Sequence, residues 1–284
     1  MKTPIFSLCL ILLTLIWRPA TGCEQGSGLC IDKQDWQFGL ALGLGVRTNP
    51  LVDGDNIPLV LLPDIAWYGE AFYLDNDEFG YQWYDSGKVA LETFVNLNKE
   101  AAYFRYFHPS NLLFSNFSLN SSFIGPARVP EPQVSKDDVA SRRWAINGGA
   151  RLHIRQQQGE WQLMALTDVS NVHHGHQLSL RYSAGWQIQD WRLILTPSLT
   201  WKSAALTDYY YGLDERDGVL PSFYFSGGSG WQPGVDLTVT RPLSEKWLML
   251  FKASWTGLHD GMTDSPLVQE SGIHTLFIGA AYRF

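Results

Sequence analysis

Three imidazoles crowd into four positions at His173, His174 and His176, and imidazole is a common ligand for zinc or copper. No cysteine or regularly spaced carboxylate stands beside them, so a polar loop is the simpler reading. Asp53-Gly54-Asp55 and Asp75-Asn76-Asp77-Glu78 gather carboxylates that could hold calcium. The second run is far shorter than an EF-hand loop and lacks its third ligand, so both read as solvated turns. Ser229, in Ser226-Gly227-Gly228-Ser229-Gly230-Trp231, is not placed as a nucleophile elbow requires. His108 and His259-Asp260 have no recognisable serine partner. No phosphate-binding loop or dinucleotide fingerprint is present. The expectation is a protein without catalytic, metal or cofactor residues, and so not an enzyme.

The charged residues that do form a pattern are cations set between apolar neighbours: Arg143, Arg151, Arg155, Arg181, Arg192, Lys202 and Lys252. Their spacing is that of a strand. From Gln177 to Ile188, Leu178, Leu180, Tyr182, Ala184, Trp186 and Ile188 share one face, while Gln177, Ser179, Arg181, Ser183 and Gln187 share the other. The next segment repeats this after only Gln189-Asp190, with Trp191, Leu193, Leu195, Leu199 and Trp201 opposite Arg192, Thr196, Ser198, Thr200 and Lys202.

Alternation alone suits either a sandwich, with apolar faces packed together, or a membrane barrel, with apolar faces in lipid and polar faces inward. Length separates the two. The pattern predicts strands near 35–47, 58–68, 71–84, 88–98, 101–108, 143–156, 160–169, 177–188, 191–202, 231–241, 246–257 and 272–284. Most exceed the ~5–6 residues of an ordinary strand and match the ~9–11 that cross a bilayer at a tilt. The connections are alternately short and long, as in outer-membrane barrels, apart from Asp85-Ser86-Gly87. Tryptophans mark both ends of the strands, as interface-seeking rings should. Trp36, Trp67, Trp161, Trp186, Trp191 and Trp247 fall at the short-turn end, and Trp83, Trp144, Trp201, Trp231 and Trp255 at the long-loop end. The expected fold is all-β, a transmembrane antiparallel barrel of about twelve strands, with ten as the alternative count.

A barrel sends the cations into its lumen. Arg151, Arg181, Arg192 and Lys202 are its expected inward-facing residues, and a wide pore so lined favours anions. Glu92, Asp168 and Asp236 fall on the same face, so mutual pairing that plugs a narrow lumen is the other reading. The last strand puts Leu276, Ile278, Ala280, Tyr282 and Phe284 outward. Its terminal aromatic, with Tyr282, resembles the sorting signal read by the bacterial barrel-assembly machinery.

The N-terminus gives the compartment. Lys2, an apolar run from Ile5 to Trp17, and the small residues Ala20-Thr21-Gly22 predict a secretory signal peptide over 1–22, leaving a barrel domain over 23–284. Of three cysteines, Cys9 lies in the leader. Cys23 and Cys30 are expected to form a disulfide in an oxidising compartment, with lipidation of Cys23 as the alternative. A net charge of −7 and the absence of a basic run argue against nucleic acid.

Two further stretches carry a resemblance. NPLVDGDNIPLVLLPDIAWYGEAFYLDNDEFGYQW (Asn49 to Trp83) and DYYYG (Asp208 to Gly212), followed by Leu220-Pro221 and Gly227-Gly228, together with the terminal AYRF, resemble the MipA/OmpV family of outer-membrane proteins. The resemblance spans essentially the whole mature chain. It implies a barrel in the outer membrane of a Gram-negative bacterium, in contact with lipid and lipopolysaccharide. It also implies a scaffold that brings together a lytic transglycosylase and a murein-synthesising penicillin-binding protein. Other members are linked to adhesion or solute passage, so a small-solute, porin-like channel is the alternative. The family transfers no catalytic or cofactor residue.

Overall fold

A strand that is apolar on one side and polar on the other is stable only where both sides find their solvent and both edges find hydrogen-bond partners. The computed structural model, which describes residues 18–19, 36–104 and 133–284, meets both demands with one closed antiparallel wall. Its twelve strands are β1 (Trp36–Arg47), β2 (Ile57–Tyr68), β3 (Phe72–Asp75), β4 (Glu78–Asp85), β5 (Val89–Leu97), β6 (Ile146–Gln156), β7 (Gly159–Asp168), β8 (His176–Ile188), β9 (Trp191–Lys202), β10 (Gly230–Pro242), β11 (Trp247–Gly257) and β12 (Gly272–Arg283). Neighbours in sequence are neighbours in the sheet, and the ring closes where β12 pairs with β1, Thr275 opposite Arg47 and Arg283 opposite Gly39. A separate two-residue stretch, Arg18–Pro19, lies antiparallel against Gln187 and Trp186 of β8. Among the described residues no helix is long and apolar enough to cross a membrane.

The outward face is apolar along its length: Leu42, Leu44, Val60, Leu163, Leu178, Leu199 and Ile278 are all exposed. Aromatic rings gather at the short-turn rim. Trp36 lies against Trp67 (ring centroids 6.1 Å apart), Trp161 against Tyr182 (4.6 Å), and Trp247 against Tyr282 (5.0 Å), which meets Phe284 edge-on at 4.9 Å. Trp144, Trp231 and Trp255 are exposed at the other rim.

Two strand boundaries differ from the sequence reading, and together they move its one exception from Asp85-Ser86-Gly87 to the two-residue turn Asn76-Asp77. The run 71–84 is two strands, because the chain reverses at Asn76-Asp77, where Asp75 pairs with Glu78 and Asn76 takes a left-handed φ of 54°. Asn76 tolerates that conformation better than most residues, and it caps the wall: its N–H donates to the Ile65 carbonyl (2.8 Å) and its Oδ1 accepts the Ile65 N–H (3.1 Å). Asp85-Ser86-Gly87 thereby becomes an ordinary short turn, and Trp83 moves to the short-turn rim. In compensation, the strand expected over 101–108 is absent from its described part, where Glu100–Tyr103 forms a 3-10 helix. The count of twelve survives because one strand is gained and one is lost.

Candidate functional site: the lumen and its cap

The inward face places Arg151, Arg181 and Lys202 along one polar cavity of about 270 Å³ near the long-loop end, and Arg192 along a second of about 280 Å³ near the short-turn end. Three of the four meet carboxylates. Arg151, on β6, grips Glu78 of β4 (2.6 Å) and Glu92 of β5 (2.7 Å), with its guanidinium 4.1 Å from the Phe94 ring centroid. His153, two residues on, lies between Glu92 (3.0 Å) and Glu160 (2.6 Å). Arg155 reaches Asp85 (2.9 Å), and Arg181 of β8 reaches Asp236 of β10 (3.1 Å). Around these sit hydroxyls that bond one another, Ser179 to Thr200 and Ser183 to Thr196.

Above the polar cavity the long loops fold into one core. Ser203 accepts the Leu206 N–H and so starts α1 (Ala204–Tyr211), which buries Leu206, Tyr210 and Tyr211 completely or nearly so. Against them pack Leu51, Ala101, Tyr103, Val134, Leu213, Leu267 and Met262, the last from the short helix α2 (Asp260–Thr263). Backbone bonds tie loop to loop, Val52 N–H to Leu267 O (2.8 Å) and Val134 N–H to Pro266 O (2.9 Å). Arg142 is buried with Asp217 (2.7 Å) and also donates to the Gly212 carbonyl (2.9 Å).

The underside of this cap is bonded to the lumen. Glu100 receives Lys202 at 2.5 Å and the Tyr211 hydroxyl at 2.5 Å, while Arg47 of β1 donates to the Tyr103 hydroxyl. Burial works against the Glu100 carboxylate, but Lys202, Tyr211 and Arg47 outweigh it and hold its pKa below the usual range. Burial, opposed by Arg47, leaves Tyr103 at about 12, and burial beside Glu100 takes Tyr211 well above its ordinary value. His259 is buried at the same level with neither ring nitrogen hydrogen-bonded, and burial together with Lys202 lowers its pKa.

The remaining sequence candidates separate. His173 is buried against the Tyr209 and Tyr210 rings, and its loop is organised by Asp168, whose carboxylate accepts the N–H groups of Ser170, Val172, His173 and His174. Asp168 thus builds a turn and leaves the lumenal pairing to others, and Arg143, expected inside, is exposed outside the strands. Among the described residues no group of three or more ligating side chains could hold a metal. Cys23, Cys30, His108 and most of the expected leader lie outside the described residues. Glu100, the centre of the cap network, falls between the strands expected over 88–98 and 101–108. Its one signal was a carboxylate beginning an apolar stretch.

A family model described as MltA-interacting protein MipA matches residues 42–284. The chain belongs to the MipA family. One relative is the outer membrane protein YiaT of Escherichia coli O157:H7, 28% identical over 258 residues, which are 86% of this chain and 91% of that protein. The MltA-interacting protein of Escherichia coli K12 is 27% identical over a shorter stretch of 95 residues, 32% of this chain and 38% of that protein. A solved form of OmpT of Vibrio cholerae lacking one loop covers 89% of this chain and all of its own, at 8% identity and a TM-score of 0.37. The MipA-family barrel resides in the outer membrane of a Gram-negative bacterium. Its short turns and C-terminus then face the periplasm, and the capped end faces outward.

Proposed function

We propose that this MipA-family barrel is a non-enzymatic scaffold whose periplasmic face binds a lytic transglycosylase and, with it, a murein-synthesising penicillin-binding protein. The observation that carries this reading is the cap: the long loops are packed into a buried core over the outer mouth, so the face left free for a periplasmic partner is the short-turn rim. That rim carries charged, exposed turn residues such as Glu70, Asp190 and Glu245. The name of the relative supports a transglycosylase as the partner. Lipid and lipopolysaccharide would wet the apolar outer band. Tyr282 and exposed Phe284 are the residues we assign to recognition by the barrel-assembly machinery. A small-solute channel draws on the polar cavity under the cap, but it requires that cap to open.

The test is retention of a purified lytic transglycosylase by the mature protein in nanodiscs. Saturable retention is expected, weakened about tenfold or more when Asp190 and Glu245 are both changed to Lys. No retention beyond that on empty nanodiscs would remove the scaffold reading.

A further inference from the structure

The interior of a membrane barrel is ordinarily polar, yet one side of this lumen is not. Phe277 of β12 points inward and is fully buried, lying on the wall where Gly43 and Gly279 leave room for its ring. A Cβ on either glycine would come within 2.4 Å of that ring. Ala41, Ile57, Leu59 and Leu62 cluster with it, and Leu250 and Ala281 pack against them. Apolar surface left in a water-filled lumen is unfavourable. Here it borders the cavity of about 280 Å³ at the periplasmic mouth, walled by Ala41, Leu62, Pro63, Leu248, Leu250 and Ala281.

The same cavity has cationic groups at its edge. Arg192 lines it, and the Arg192 Nε is buried without a hydrogen-bond partner. A buried, unsatisfied charged donor is costly unless something completes it. Arg283 and Lys246 also line the mouth. Of the acids that share it, Asp64 already accepts from Gln37 (2.9 Å) and Asn76 (3.4 Å), Asp190 is mostly exposed with Arg241 at 3.9 Å, and Glu245 is exposed in its turn. An apolar pocket with one unsatisfied guanidinium donor is the composition of a site for a molecule that is greasy in its body and anionic at one end.

We propose that the periplasmic mouth of the lumen is a binding site for small apolar carboxylates. The hydrocarbon body lies against Leu62, Leu250 and Ala281, and the carboxylate pairs with the Arg192 guanidinium, whose Nε has no partner of its own. At ~30 Å³ per water-sized group the cavity holds about nine such groups, the scale of a short arylalkanoate. The site does not rest on the scaffold reading, since its apolar wall and Arg192 belong to the strands, although Asp190, Glu245 and Lys246 of the short turns border it.

Phenylbutyrate is the probe, titrated calorimetrically into the mature protein in nanodiscs with empty nanodiscs subtracted, and phenylbutanol is its uncharged counterpart. Saturable binding of the acid is expected, with the alcohol about tenfold weaker. Arg192→Gln should weaken the acid about tenfold and move the alcohol by less than about twofold. Ala281→Leu, which fills the cavity, should weaken both, and retained heat-modifiable gel mobility shows that each variant is still a barrel. Absence of saturable binding to the unmodified protein, or equal binding of the acid to Arg192→Gln, would overturn the proposal.

Discussion

Burial decides the behaviour of single residues in the cap. His259 is held neutral among buried neighbours, and His173 likewise has its pKa lowered, chiefly by burial. A histidine whose folded pKa lies below its unfolded value of ~6.5 contributes stability fully above that pH and loses it as the pH falls. Protonation of His259 also sets a cation near Lys202. Glu100, whose folded pKa is lowered, adds a loss in the same direction as the pH falls further, below the usual carboxylate range. Proteolysis of the cap loops, corrected for the protease's own pH profile, should therefore be several-fold faster at pH 5.5 than at pH 8, and His259→Phe should flatten the difference. An unchanged ratio in the variant would show that another group controls the opening. The inward positions of the lumenal cations were legible because side chains alternate strictly along a strand. Their partners were not, since Glu78 meets Arg151 across the intervening strand β5, a relation set by register that no local spacing encodes.

Among elements, the strands with long unbroken alternation, β8 and β9 above all, were readable to within a residue at each end. The region 71–104 was not. Tyr73 before the reversal at Asn76-Asp77 and Phe79, Tyr81 and Trp83 after it all fall on odd positions, so the two sides read as one phase although the chain turns back between them. The signal that could have found it is Asn-Asp flanked by strand residues, a hairpin-turn composition. Because Asn76 supplies both the left-handed φ and the cap on Ile65, Asn76→Ala should lower stability by about 1–3 kcal/mol, the sum of a strained backbone and a lost half-buried bond. Asn76→Gly, which keeps the φ and loses only the side-chain bond, should cost less. Urea midpoints of the heat-modifiable band would rank the two; equal midpoints would deny the backbone-strain contribution, and a Gly variant as stable as the unmodified protein would deny Asn76 its capping role. The same reasoning explains 98–104: Ala101, Ala102 and Tyr103 are as apolar as a strand, but they are buried in the cap core, which a local pattern does not distinguish from lipid.

The whole molecule joins two solutions to one problem. Its outer band gives apolar side chains to hydrocarbon, while its loops bury theirs in a core of their own over the outer mouth, anchored to the lumen through Glu100, Lys202 and Tyr211. No local pattern reveals this second core, because its members come from four separate connections that meet across the mouth of the barrel. The ion pairs beneath it narrow the polar cavity further. Everything assigned to the periplasmic face presupposes that the outer end stays covered. The most direct test is ion conductance of the purified mature protein in a planar bilayer at neutral pH. The capped barrel predicts a silent membrane, with current steps appearing only when Glu100→Ala and Tyr211→Ala together release the cap. Steady current steps from the unmodified protein would contradict it.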